Sequence, residues 1–156
     1  MSEAGCRPTV FVDGDACPVT AEVEQAGAAH ELAVIVVSDA AHAQRVTTAE
    51  LVMVDVGRNA VDYVIVTRSR PGDVVVTNDL GLVAMLLAKR VHVVSSDGEV
   101  FKYTPVHATL GVHRLMVGRR RAGARRTAPL TAWERTRFAR RLDRLLTRWF
   151  KKRRGD

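Results

Sequence analysis

Val10-Phe11-Val12-Asp13-Gly14-Asp15 is an apolar run closed by two carboxylates. A second run, Val74-Val75-Val76-Thr77-Asn78-Asp79, has the same form. Short apolar runs without polar alternation predict strands buried on both faces, as in a parallel sheet covered by helices. Open α/β sheets place their ligand crevice outside the carboxyl ends of the strands. If these two strands are parallel neighbours, Asp13, Asp15 and Asp79 converge on one crevice.

Outward from these runs, strands and helices alternate. A strand is expected at residues 9–12, with Pro18 in the first turn of a helix reaching about His30. Further strands are expected at 32–37 and 50–56, the latter stopped by Gly57, with a loop or helical turn at 38–44. Residues 59–68 are rich in β-branched side chains, yet a parallel sheet needs a crossover here, so a helix is expected with Asp62 in its first turn. Pro71-Gly72-Asp73 is a turn that leaves Asp73 on the opposite sheet edge. A strand at 74–77, a helix at 80–89 and a strand at 91–94 follow. Ser96-Asp97-Gly98 turns the chain, and a short helix is expected at 104–110. This order predicts an α/β, three-layer domain: a central, mainly parallel sheet with helices on both faces.

The C-terminal part reads differently. Thr131-Ala132-Trp133-Glu134 has the form of a capping box. Phe138, Leu142, Leu145 and Trp149 repeat at helical spacing, which predicts an amphipathic helix docked by that stripe. Arg137, Arg140, Arg141, Arg144 and Arg148 are expected to face out. Trp133 and Trp149 are expected as core anchors. The expected organisation is residues 1–118 as the α/β domain and 119–156 as a basic loop plus helix packed on it.

Charge follows the same division. The net charge is +7, but residues 1–118 carry −5 and residues 119–156 carry +12. Such asymmetry suits contact with a polyanion. Arg119, Arg120, Arg121, Arg125 and Arg126 are candidates for holding nucleic-acid phosphates, which gives affinity without sequence reading. No apolar run approaches the ~20 residues of a membrane helix. Met1-Ser2-Glu3-Ala4 has no basic start followed by an apolar stretch, so no signal peptide is expected. Two cysteines, Cys6 and Cys17, make neither a disulfide framework nor a zinc site, so a cytoplasmic setting without membrane partners is expected.

Crowded carboxylates need a counter-charge. Two of them ~5 Å apart repel by roughly 3 kcal/mol at an effective dielectric of ~20. Either one stays protonated or a cation binds. An oxygen-only ligand set suits Mg²⁺ or Mn²⁺. Asp13, Asp15 and Asp79 are the candidate metal ligands. The structural alternative is helix capping, by Asp13 or Asp15 near Pro18 and by Asp79 before Leu80. Asp97 follows a strand at the correct edge and is a peripheral candidate with a turn role as its alternative. The histidines show no metal-ligand spacing. Cys17, near the acids, is expected in packing.

These residues resemble the YaiI/YqxD family of bacterial proteins. The matching pieces are Val12-Asp13-Gly14-Asp15-Ala16-Cys17-Pro18, Val61-Asp62, the run from Pro71 to Asp79, Gly98-Glu99, and Pro129 followed by Phe138-Ala139 and Leu142-Asp143. The likeness spans about residues 8–146 and is similar to the PIN/NYN-like nuclease group. It implies a PIN-like fold and catalytic carboxylates at Asp13, Asp62 and Asp79, with Asp15 adjacent as a further catalytic candidate; Thr77 and Asn78 are secondary candidates. It also implies Mg²⁺ or Mn²⁺ and an RNA-class substrate. The chain departs from the pattern at Asn59, where many relatives carry Asp.

Three functions compete. The first is a metal-dependent ribonuclease. The second is a phosphatase of the haloacid-dehalogenase type, with Asp13 as nucleophile, Thr77 as phosphate-binding hydroxyl and Lys89 as its lysine. The third is a non-catalytic RNA-binding module with a vestigial acid site.

Overall fold

The computed structural model describes residues 7–15, 17–42, 45–57, 59–102 and 129–150. The expected helix at 104–110 and Arg119, Arg120, Arg121, Arg125 and Arg126 lie outside the described residues.

Six strands form one sheet: β1 (Thr9–Asp13), β2 (Ala33–Asp39), β3 (Glu50–Val54), β4 (Val74–Val76), β5 (His92–Val94) and β6 (Val100–Phe101). Their spatial order is β3-β2-β1-β4-β5-β6. The first five run parallel, and β6 returns antiparallel beside β5. Four helices lie among the described residues: α1 (Thr20–Ala29), α2 (Ala60–Arg68), α3 (Leu80–Ala88) and α4 (Ala132–Phe150). From β1 the chain winds through β2 to β3, then crosses to β4 on the other side of β1. The order therefore reverses between β1 and β4, which are parallel neighbours, the condition on which their terminal acids were expected to converge.

The strand side chains alternate between two cores. Val10, Val12, Val34, Val36, Val74 and Val76 pack with Val19 and Val23 beside α1 and with Phe138, Leu142, Leu145 and Leu146 of α4. Phe11, Ile35, Val37 and Val75 pack with Val61 and Ile65 of α2 and Leu82, Val83 and Leu86 of α3. The result is three layers, consistent with a PIN-like fold. Among the described residues no helix is long and apolar enough to cross a membrane.

Local chemistry explains most boundaries. The expected helix at 59–68 forms despite its β-branched residues, because Val61 and Ile65 then share one buried face. Asn59 precedes it in the left-handed region at φ 63°, which asparagine tolerates better than most residues. Asp73 accepts from the amides of Thr9 at 2.9 Å and Arg70 at 2.8 Å, tying the turn to the start of β1 at the edge away from Asp13. At α4, Thr131 and Glu134 exchange both bonds of the capping box, at 2.7 and 3.1 Å.

Four expectations need correction. Helix α1 starts at Thr20, and its N-cap, Val19, makes no side-chain capping bond, so neither Asp13 nor Asp15 caps it and Pro18 lies ahead of its first turn. The strand β6 is absent from the sequence reading, since two residues after a tight turn carry no periodic signal. Trp133 is no core anchor: it is 66% exposed. Arg137 and Arg141 do not face out with Arg140, Arg144 and Arg148. They flank the apolar stripe and reach Asp97, Arg137 to its carboxylate at 3.9 Å and Arg141 to its carbonyl at 2.9 Å.

The α1–β2 contact is close enough to demand glycine. A Cβ at Gly27 would stand 2.2 Å from Val34 Cγ2 and 3.2 Å from the Leu32 carbonyl. Gly27→Ala should therefore destabilise by about 1–3 kcal/mol in urea unfolding, against the helix-propensity gain expected at an open site. Adding Val34→Ala should recover part of that loss.

Candidate metal centre at the strand switch point

The reversal between β1 and β4 opens a crevice at their carboxyl ends, where α/β folds bind ligands. Asp13 is the last residue of β1. The register pairs Val12 with Val76, which brings Asp13 level with Thr77. Thr77 Oγ1 donates to Asp13 Oδ2 at 2.8 Å, and the Asp15 amide donates to Oδ1 at 3.3 Å. Thr77 Oγ1 also accepts from the Asp79 amide at 3.0 Å, so one hydroxyl links both acids.

Asp79 is the N-cap of α3. Its Oδ1 accepts from the amides of Gly81 at 2.9 Å and Leu82 at 3.2 Å. The capping alternative thus holds for this residue, but the cap uses a single carboxylate oxygen. Asp62 stands in the first turn of α2 and shares a side-chain hydrogen bond with Asp79. Asn78 and Ser96 bond each other through Nδ2 to Oγ at 2.7 Å and amide to Oδ1 at 2.9 Å, fastening the β4 end to the β5 end. Asp97 turns toward α4 through its bonds to Arg137 and Arg141.

The electrostatics show the crowding. Asp13 is 2% exposed. Burial pushes its carboxyl up to about 6; the Thr77 bond opposes this, while the charges of Asp15 and Asp79 add to it. Asp62 is likewise pushed up to about 6 by burial, then by Asp79, Asp13 and Asp15. The charges that bear most on Asp62 are all carboxylates. Asp13, Asp15, Asp62 and Asp79, drawn from three segments, thus lie close enough to feel one another's charge. Cys17 is buried beside them; burial, then the Asp13 charge, pushes its thiol far above the ordinary value, and a soft sulfur is a poor ligand for a hard cation.

A second acid group, absent from the sequence reading, adjoins the first. Asp39 ends β2, and His42 ends the 3-10 turn Ala40–His42. Ligand atoms of Asp15, Asp39 and His42 all lie within 4.8 Å of one another, a spacing compatible with metal binding. Asp39 Oδ1 already accepts from the amides of Ala41 and His42 at 2.9 Å, and lies 2.8 Å from His42 Nδ1. The hydrogen bond with His42 foremost lowers the Asp39 carboxyl below its ordinary value. Those bonds account for much of this convergence without an ion. The signal was present in the sequence: Val36-Val37-Ser38-Asp39 is a third apolar run ending in an acid.

The donors fit a hard divalent cation. Asp13, Asp15, Asp62 and Asp79 offer only oxygen, and their mutual repulsion is what such an ion relieves.

The raised carboxyls predict a pH signature. Folding takes up protons where the folded pKa lies above the unfolded one, so stability falls as pH rises from about 4 through about 6. In chelator-treated protein, Asp62→Asn should remove part of that fall. Its stability relative to wild type in urea should grow across this window and be greatest near neutrality. Parallel profiles for the two proteins would contradict the crowding.

Comparison with known proteins places the chain. The family described as "Uncharacterized BCR, YaiI/YqxD family" matches residues 11–148. The UPF0178 protein BH1374 of Halalkalibacterium halodurans is 36% identical over 141 residues, covering 88% of this chain and 90% of the relative. A UPF0178 protein of Exiguobacterium sibiricum is 34% identical over 140 residues, covering 88% and 96%. Another from Clostridium kluyveri is 32% identical over 120 residues, covering 77% and 79%. No solved structure gives a significant match. The match over nearly its whole length makes this chain a member of the YaiI/YqxD family.

Proposed function

We propose that the protein is a divalent-metal-dependent nuclease acting on RNA. One observation carries the reading: four carboxylates gather at the strand switch point, and the charges that weigh most on Asp62 are the other three. Such a cluster is costly unless it serves a cation. Asp13, Asp15 and Asp79 would hold the ion, with Asp62 completing the negative shell. A bound Mg²⁺ or Mn²⁺ supplies charge stabilisation for the attacking and leaving oxygens of a phosphodiester.

The chain's own groups have distinct tasks. Thr77 and the Asp15 amide fix the Asp13 carboxylate in one orientation. The α3 cap fixes Asp79. The amino ends of α2 and α3 point their positive dipole ends at the rim, easing the approach of phosphate to a negative site. RNA as the substrate rests on the family resemblance and on the +12 charge of residues 119–156. Arg119, Arg120, Arg121, Arg125 and Arg126 are proposed to grip its backbone.

The phosphatase alternative loses support from two placements. The Lys89 ammonium donates to the carbonyls of Val66 and Ser69, at the carboxyl end of α3 and away from Asp13. The Thr77 hydroxyl is committed to Asp13. No observation favours it in return.

Two assays test the proposal. Mn²⁺ titrated calorimetrically into wild type should give binding heat that Asp13→Asn/Asp79→Asn lacks. Cleavage of labelled single-stranded RNA should require Mn²⁺ or Mg²⁺ and fall by ~100-fold or more in the Asp79→Asn single variant, while RNA binding persists. Binding without cleavage in wild type would favour the non-catalytic module. A phosphoryl group trapped on Asp13 would favour the phosphatase.

A further inference from the structure

Among the described residues Trp133 is the largest exposed apolar side chain, and its end of the helix meets the carboxyl edge of the sheet. It lies in the first turn of α4, 66% exposed. Three contacts hold that end of the helix at the carboxyl edge of the sheet. Arg135 Nη1 donates to the Pro18 carbonyl at 3.0 Å. Arg137 Nη2 lies 3.9 Å from Asp97 Oδ1, and Arg141 Nη1 donates to the Asp97 carbonyl at 2.9 Å. Asp97 follows Ser96, which is bonded to Asn78, the neighbour of Asp79. A short chain of contacts thus joins the indole to the carboxylates.

The indole is also backed. The Arg137 guanidinium carbon sits 4.5 Å from its ring centroid, the geometry of a cation–π pair. Arg137 Nε is buried without a hydrogen-bond partner, so the guanidinium is placed by its stack and by Asp97. The core is filled by Phe138, Leu142, Leu145 and Leu146 and does not use Trp133. An aromatic ring held rigid by a cation, and otherwise open to solvent, is what single-strand binding proteins offer to a base.

We propose that Trp133, backed by Arg137, is a stacking platform for a nucleobase of single-stranded nucleic acid lying across the acid rim. The choice of ligand rests on the nuclease reading. Charge supports it as well: exposed Arg140, Arg144 and Arg148 share the helix, and residues 119–156 carry +12. Stacking is indifferent to base identity, so the platform orients the strand and sets a preference for unpaired over duplex substrate.

The test reads binding without metal or cleavage. Fluorescence anisotropy of a labelled 12-nucleotide oligoadenylate is measured in chelator, with the full chain carrying Asp13→Asn/Asp79→Asn as background. Adding Trp133→Leu should weaken single-strand binding by about 10-fold, whereas Trp133→Phe, which keeps an aromatic face, should stay within about 3-fold. Binding of a duplex of equal length should be the same in all three proteins. Unchanged single-strand binding in Trp133→Leu, an equal loss in Trp133→Phe, or an equal loss on duplex would overturn the platform. Failure of wild type to cleave would overturn the nuclease reading and leave a Trp133-dependent platform standing. Acid-dependent cleavage with Trp133-independent binding would overturn the platform alone.

Discussion

A buried carboxylate next to three others is the constraint around which the rim is organised. Asp13 closes the central strand where the chain turns from one half of the sheet to the other, and almost none of its surface reaches water. A hydroxyl and an amide donate to it, but the neighbouring charges are negative. Those donors would suffice for one isolated carboxylate. They do not remove the repulsion from Asp15, Asp62 and Asp79. Two of the carboxyls respond by holding their protons up to about pH 6. A site that retains such unfavourable charge is better explained by what it binds than by what it stabilises.

The contrast with Glu24 and Asp73 sharpens this point. Glu24 receives three backbone amides, from Thr47, Thr48 and Ala49, at 2.7 to 2.9 Å. Burial alone would raise its carboxyl, but those three bonds outweigh it and lower the value. Asp73 receives two amides and braces a turn. Both are acids used as structural ties, each satisfied by donors. Asp13 and Asp79 also accept two donors each, but unlike the structural acids they face other carboxylates, and that difference in neighbouring charge separates a ligand site from scaffolding.

Much of this was legible in the amino-acid order. Parallel strands buried on both faces leave unbroken apolar runs, so β1 and β4 and the acids that end them stand out. The crossover requirement of a parallel sheet identified α2 where β-branched Val61, Val64, Ile65 and Val66 argued for a strand. Asp62 could not be placed by pattern, since nothing local distinguishes it from a surface acid on a helix; only the family resemblance singled it out. Asp39 ends an apolar run like the others, so the rule applied to Asp13 would have found it. Its partner His42 follows three residues later and pairs only because a 3-10 turn intervenes. Trp133 lies off the Phe138–Leu142–Leu145 stripe by helical phase, and that phase foretold its exposure better than its residue type did. The helix α4 also spans the sheet: Arg137 and Arg141 meet Asp97 at one end, and Trp149 stacks on His92 at 4.1 Å at the other.

The most direct test is crystallographic: crystals soaked in Mn²⁺, with anomalous diffraction recorded at the manganese edge. The account predicts a strong anomalous peak within bonding distance of the carboxylates of Asp13 and Asp79, with Asp62 turned toward it. A map with no peak there, or with its only peak at Asp39 and His42, would contradict the assignment of the strand switch point as the metal centre.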